Sequence, residues 1–386
     1  MRVKLAEAFD LQMGKTPDRN DPACWGTGHK WVSIADLTKA EKYITNTKES
    51  ITDHGIAKSG IKAVPKNTVI MSFKLSIGKT AITTEEIYTN EAIIAFIDKG
   101  IYEIDTDYIY HLFSAKEWGE GTNKAVLGLT LNKATLSQIE IEIPPIEKQR
   151  QATIVLDKMD VLISLRKKQL QKLDDLVKSR FVEMFGDCRT NPKGWKTIAL
   201  GEISEVGSSK RVFVEELKEA GVPFYRGTEI GALAEGKEIQ PVLFITEKHY
   251  SELIDATGKP EIGDLLMPSI CPDGRIWVVN TNDPFYFKDG RVLWVHSISD
   301  QFDPTFLLYT LKDRIMTDYS SIASGTTFAE LKIFALKQCQ VFDVPMDKQK
   351  LFVTFVKHVD KSRLTVQNGI YRMEMLKQSL MQKYFG

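Results

Sequence analysis

The chain has 386 residues, 43% hydrophobic and 26% charged, with 51 basic residues against 51 acidic ones. This is an ordinary composition for a soluble folded protein of two or three domains. No apolar run approaches the roughly 18 residues needed to span a bilayer, and "MRVKLAEAFD" has no hydrophobic signal region, which together exclude a membrane protein and point to the cytoplasm. The zero net charge argues against a broad basic field for nucleic acid, because phosphate neutralisation usually shows as a basic excess. The distribution is uneven: segments 147–186 and 347–386 together hold 17 basic and 9 acidic residues, whereas 187–346 holds 17 basic and 23 acidic.

Residues 1–146 carry short β-branched or aromatic runs, such as "NTVIMSF" and "AIIAFI", separated by glycine, proline and Asn/Asp turns. They predict a twisted sheet with a few helices, one of them the apolar "YIYHLFSA" from Tyr108. Two stretches here, Gly14-Lys15-Thr16 and the Gly78-Lys79-Thr80 that ends "MSFKLSIGKT", imitate the end of a phosphate-binding loop. Phe9 and Phe73 stand where that motif needs its first glycine, so neither is read as a nucleotide site.

From Glu147 to Phe185 there is neither proline nor glycine. Apolar residues recur at steps of three and four (Leu156, Met159, Ile163, Leu170, Leu173, Val177, Met184), which predicts one long helix with a seam interrupted by Arg166 and Arg180. Residues 187–346 return to strand-like runs ("RIWVVN", "RVLWVHSI") and a second core helix, "FLLYTLKDRIMTDY" from Phe306. Residues 347–386 predict a second long helix with Val356, Val359, Val366, Ile370, Met373, Leu380 and Tyr384 along its seam, weakened by ~1 kcal/mol at Gly369.

The two halves repeat one another. "IPPIEKQ" (Ile143 to Gln149) is answered by "VPMDKQ" (Val344 to Gln349), so that Pro145, Glu147, Lys148 and Gln149 face Pro345, Asp347, Lys348 and Gln349. Phe185-Gly186 and Phe385-Gly386 keep the same offset. Upstream, "VKLAEAF" matches "IALGEIS", "WVSIADL" matches "FYRGTEI", and "VIMSFKLSIGKT" lies over "LLMPSICPDGRI", pairing Met71 with Met267, Gly78 with Gly274 and Lys79 with Arg275. A phosphate loop would not be copied as Pro-Asp-Gly-Arg; the shared element is a buried strand, a glycine turn and an exposed cation.

Catalytic chemistry is sparse. "NDPFY" (Asn282 to Tyr286) resembles the base-holding motif of adenine methyltransferases but has a single proline and reads as a turn. No glycine-rich cofactor loop and no metal-ligand cluster is apparent; Cys24, Cys188, Cys271 and Cys339 are scattered, as expected of buried thiols, and His111 in its apolar helix reads as a core residue.

Two variable globular parts, each followed by Pro-x-acid-x-Gln and a long helix, resemble the specificity (S) subunit of type I restriction-modification systems over essentially the whole chain. The motifs that carry the likeness are the segment "IEIEIPPIEKQRQATIVLDKMD…SRFVEMFGD", "LTLNKATLSQIEI", and "SGTTFAELKIF" with "VPMDKQ". The resemblance implies an α+β fold: two target recognition domains, 1–146 and 187–346, separated by spacer helices 147–186 and 347–386 packed as an antiparallel coiled coil, with a pseudo-twofold internal repeat. Each domain would then read one half of a split site in double-stranded DNA, and the domains would lie at opposite ends of the helix pair. The helices would dock two modification (methyltransferase) subunits, which carry S-adenosylmethionine, and restriction subunits can join; the chain itself would be non-catalytic, with no cofactor or metal of its own.

Candidate DNA contacts are Ser72, Lys74, Lys79, Arg226, Thr228, Ser269 and Arg275, set against the plainer reading of solvated turns. Arginine suits guanine readout because its fork matches O6 and N7. Candidate partner-docking positions on the helices are Leu156, Met159, Ile163, Leu170, Leu173 and Val177 with Val359, Val366, Ile370, Met373 and Leu380. A coiled-coil scaffold that does not bind DNA, and a free-standing enzyme, are the alternative readings.

Overall fold

The computed structural model describes residues 1–74, 76–118, 131–325 and 329–386. Leu129 and Thr130 of "LTLNKATLSQIEI", and residues 326–328 of "SGTTFAELKIF", lie outside the described residues. The chain divides into two compact units: Met1–Lys168 with Gln367–Gly386, and Gln169–Val366.

In the first unit a five-stranded sheet has the order Phe9–Met13, Ile93–Asp98, Val69–Ser72, Thr80–Thr83, Tyr43–Ile44, antiparallel except for the last pair. The run at Val69–Ser72 is buried on both faces, because successive side chains alternate sides. Val69 and Met71 join Phe9, Phe96 and the helix Thr106–Ala115 in one core, while Ile70 points into a second with Val32, Leu37 and Ile93. Phe113 lies 4.6 Å from Phe96, ring centre to ring centre. A smaller sheet, Glu49–Ile51, Trp25–Val32 and Tyr88–Thr89, carries its last strand parallel.

The second unit repeats this plan with different residues. Glu205–Gly207, Val292–His296, Leu265–Pro268 and Trp277–Val278 follow in the same order, and Phe244–Ile245, Val222–Tyr225 and Tyr286–Phe287 form the smaller sheet, again with a parallel last strand. The repeated turn is the same turn: Gly78 and Gly274 both have positive φ (+87° and +65°), which glycine adopts without steric cost. A Cβ at Gly78 would press on Trp118, just beyond the core helix Thr106–Ala115, and one at Gly274 would press on Lys312 of the matching helix Pro304–Ile322.

Each long helix has 40 residues, Ile146–Phe185 and Met346–Phe385, or ~60 Å at 1.5 Å per residue. Each begins just after its proline, which is tolerated where no intrahelical donor is required. Both units contain a piece of each helix, running antiparallel. In the first, Asp160 pairs with Lys377 and Lys167 with Glu374 at 3.0 Å, so partners descend as residue numbers rise. In the second, Asp174 pairs with Arg363 at 2.6 Å, and Phe181 and Phe185 both meet Phe352. The repeated terminal phenylalanines have matching jobs: Phe385 packs on Tyr108 (5.3 Å) in the first unit and Phe185 on Phe306 (5.0 Å) in the second.

Candidate nucleic-acid interface and helix faces

The glycine turn of the first unit is built by Ser72 itself. Its hydroxyl donates to the Ser76 carbonyl and accepts the Lys79 N–H (3.1 Å), while its own carbonyl accepts from Gly78 N (2.9 Å). Ser72 is fully buried, which corrects its reading as a DNA contact: the hydroxyl is spent on the turn, and what the turn presents to solvent is Lys79. Lys74 is half-buried, with its ammonium 5.4 Å from the Phe73 ring.

Ser269 is corrected in the same way. It is buried in the equivalent strand end, its N–H donating to Arg291 O (2.9 Å) and its carbonyl accepting from Leu331 N (2.8 Å). Phe73 makes the same two bonds, to Ala92 O and from Leu131 N, so Ser269 corresponds to Phe73 rather than to Ser72.

Arg275 ends the second turn but lies across the helix Gly227–Ala234. Its guanidinium pairs with Asp273 (2.8 Å) and, at 4.0 Å, Glu235, and it covers Gly231, where a Cβ would come within 2.8 Å of it. Arg226 and Thr228 sit at the other end of this helix, and both bond Glu229. Burial works against the Glu229 carboxylate, but the bonds from Arg226, Thr228 and the backbone outweigh it and pull its pKa down to about 2. The second unit's candidate cations therefore come with their own carboxylates, as its acidic excess implies, whereas Lys79 has no ion partner among the described residues.

Arg291 and Arg19 are exposed cations that the sequence alone did not single out. Arg291, beside Ser269, is exposed and pairs with Glu330, which also bonds Lys332 (3.1 Å). In the first unit Arg19 stacks over Trp25 at 3.8 Å and Trp31 at 4.9 Å while pairing with Glu49. The available signal for Arg291 was its place directly after an Asp-Gly turn; for Arg19 nothing local distinguishes it. "NDPFY" bends at Asp283, whose N–H is accepted by Thr281 Oγ1, and runs into the strand Tyr286–Phe287; Asn282 to Phe285 wall an open cavity of about 470 Å³ with Tyr250 and Lys259.

Among the described residues two clusters combine metal-ligand side chains, and a lysine sits in each. Asp21, Cys24 and His54 converge, but Lys58 lies 2.6 Å from the same Asp21 oxygen and holds that carboxyl well below the usual range. His111, Asp157 and Asp160 converge likewise. Lys42 reaches Asp157 (2.6 Å) and Asp107 (2.7 Å), and Lys377 reaches Asp160. Burial lowers the His111 pKa, so the ring is neutral; it donates from Nε2 to Asp157 (2.7 Å), leaving Nδ1 buried without a partner. All four cysteines are buried thiols.

The helix candidates divide into two sets. Leu156, Met159, Ile163, Val177, Val359, Val366 and Ile370 are buried, so this chain already covers them, whereas Leu170, Leu173, Met373 and Leu380 are only partly buried. The outward apolar positions are others: Ile154, Val161, Leu162, Leu165, Tyr371, Met375 and Leu376 in the first unit, and Leu176, Val182, Leu351 and Leu364 in the second, all exposed. Periodicity alone found the seam and passed over these exposed positions.

Residues 1–175 and 192–372 match the model of the type I restriction modification DNA specificity domain. The MjaIX specificity subunit of Methanocaldococcus jannaschii is 25% identical over 409 aligned residues, covering 98% of this chain and 91% of that protein. The EcoR124I/EcoR124II specificity subunit of Escherichia coli is 25% identical over 45% of this chain and 46% of its own. Among solved structures, the S subunit from M. genitalium superposes with a TM-score of 0.51 at 14% identity, covering 100% of this chain and 96% of that one. A chain described under "Structural basis underlying complex assembly and conformational transition of the type I R-M system" reaches 0.60 at 16% identity, covering 100% and 97%. These two likenesses extend the duplicated fold across the full length, and both copies of the repeat lie within the matched residues, so the chain belongs to the type I restriction-modification DNA specificity family.

Proposed function

We infer that this protein is the non-catalytic DNA-recognition subunit of a type I restriction-modification complex. Recognition domains 1–146 and 187–346 each read one half of a bipartite site, and helices 147–186 and 347–386 dock two methyltransferase subunits, which bring S-adenosylmethionine; restriction subunits join that assembly in the cytoplasm. The observation that carries the reading is the duplicated unit, one topology built twice from different surface residues, inside a family whose defining domain is a DNA specificity domain. A pure scaffold has no use for two elaborate and unequal domains. Exposed Lys79, Arg19, Arg226 and Arg291 and half-buried Lys74 are the cations we assign to DNA, with Thr228 and Arg275 beside them, and the exposed apolar helix residues are the docking face. Mapping methylated adenines in cells that carry this chain with its methyltransferase tests the reading: a single bipartite motif is expected, and methylation that is absent or independent of this chain overturns it.

A further inference from the structure

The repeated glutamine of Pro-x-acid-x-Gln is fully buried in both units, at Gln149 and Gln349. Gln149 donates from Nε2 to the carbonyls of Glu103 (2.9 Å) and Pro144 (2.8 Å) and accepts at Oε1 from Asp105 N (2.9 Å). Gln349 donates to Gln301 O (2.8 Å) and Val344 O (2.7 Å) and accepts from Asp303 N (2.8 Å). Two carbonyls on one side and an N–H on the other leave a single orientation for the amide. Asp105 and Asp303 are the N-caps of the core helices Thr106–Ala115 and Pro304–Ile322, so each glutamine ties three elements together: the recognition domain's core helix, the strand exit before the long helix, and the long helix itself.

We propose that Gln149 and Gln349 are positioning residues that set the angle between each recognition domain and its long helix, and through it the separation of the two DNA half-sites. The proposal rests on the functional reading above. An apolar seam is non-directional, so small changes of helix angle cost it little burial, whereas three hydrogen bonds of fixed geometry admit one angle. Every partner is a backbone group, so the clasp ignores the identity of the domain that presents it: Glu103 is replaced by Gln301 and Pro144 by Val344, yet the three bonds stay the same. Only glutamine fits, since glutamate lacks the two donors and asparagine is one methylene shorter.

The test uses the full chain in complex with its methyltransferase and reads the spacer between methylated half-sites over a library of random spacers. Gln149→Leu is expected to keep both half-site sequences while methylation of sites one base pair longer or shorter than the parental spacer rises at least tenfold relative to the parental spacer; Gln349→Leu behaves alike. A sharp, unaltered spacer with only reduced yield or thermal stability would make the amide a plain folding contact and overturn the proposal, as would altered half-site bases. If the leucine variants do not accumulate, Gln149→Glu keeps the shape and the acceptor for Asp105 N; a broadened spacer supports positioning, and a glutamate variant that also fails to fold counts against it. A parental complex with no bipartite motif would instead sink the functional reading itself.

Discussion

If the long helices separate the two recognition domains, lengthening both together should move the half-sites apart by a calculable amount. The place to do so is the boundary between the units, after Lys168 in one helix and after Val366 in the other, because the ion pairs Asp160–Lys377, Lys167–Glu374 and Asp174–Arg363 all lie on one side or the other of it. Four helical residues add ~6 Å, and because four residues exceed one 3.6-residue turn only slightly, the seam is rotated by about 40°. At ~3.4 Å per base pair this lengthens the unread spacer by one or two base pairs. Inserting in one helix alone shifts the seam by a turn against its partner and should abolish activity. Methylation mapping of the parent, the paired insertion and the single insertion is the assay. An active paired insertion whose spacer is unchanged would refute the helices as the ruler, and one whose half-site bases change would refute the division of labour between domains and helices.

Three other outcomes are expected. Leu162→Asp with Leu165→Asp, both exposed, should reduce co-purification of the methyltransferase while shifting stability by no more than about 0.5 kcal/mol per site, whereas Ile163→Asp, which buries a charge, should cost about 3 kcal/mol or more in denaturant unfolding. Lys79→Ala and Arg275→Ala should each weaken recognition of a single, different half-site in a methylation or binding assay; the Arg275 change should reach about 1–3 kcal/mol only if that side chain leaves Asp273 for a base, and equal loss at both halves would assign the residue to general phosphate binding or folding. Acidification should destabilise the first unit: burial lowers the His111 pKa below its usual 6.5, so the unfolded chain binds the proton first, and this contribution is complete above that value and lost as pH falls below it. Asp157, Asp160 and Lys42 face the ring; burial works against the charges of Asp157 and Lys42, but the bonds of Lys42 to Asp107 and Asp157, with that of His111 to Asp157, outweigh it and hold Asp157 low and Lys42 high. Thermal melts from pH 8 to 5 should therefore flatten in His111→Phe; an unchanged slope would place the titration elsewhere.

The sequence by itself determined the duplication, the strand-rich and helical segments and the family, because these are written in neighbours along the chain: the alternation of three and four in the long helices, the strand runs, and the paired motifs at an offset near 200 residues. The match of Met71 with Met267 and Gly78 with Gly274 is kept by strand register and by positive φ at both glycines. The tertiary structure alone decided which faces are covered. Ser72 and Ser269 close runs that look like exposed loop entries, yet they are buried because layers from distant sequence cover both sides of their strands. Most helix residues legible as an apolar seam turned out to be buried, and the exposed apolar positions could be told from them only once the helices were packed. That pairing also gives residues 367–386 to the first unit, where Phe385 meets Tyr108, and packing within the same unit brings Lys42 to Asp157 across 115 residues. Local periodicity reports that a residue prefers burial; which surface buries it is set by contacts between segments far apart in the chain, and these depend on the packing of the whole unit.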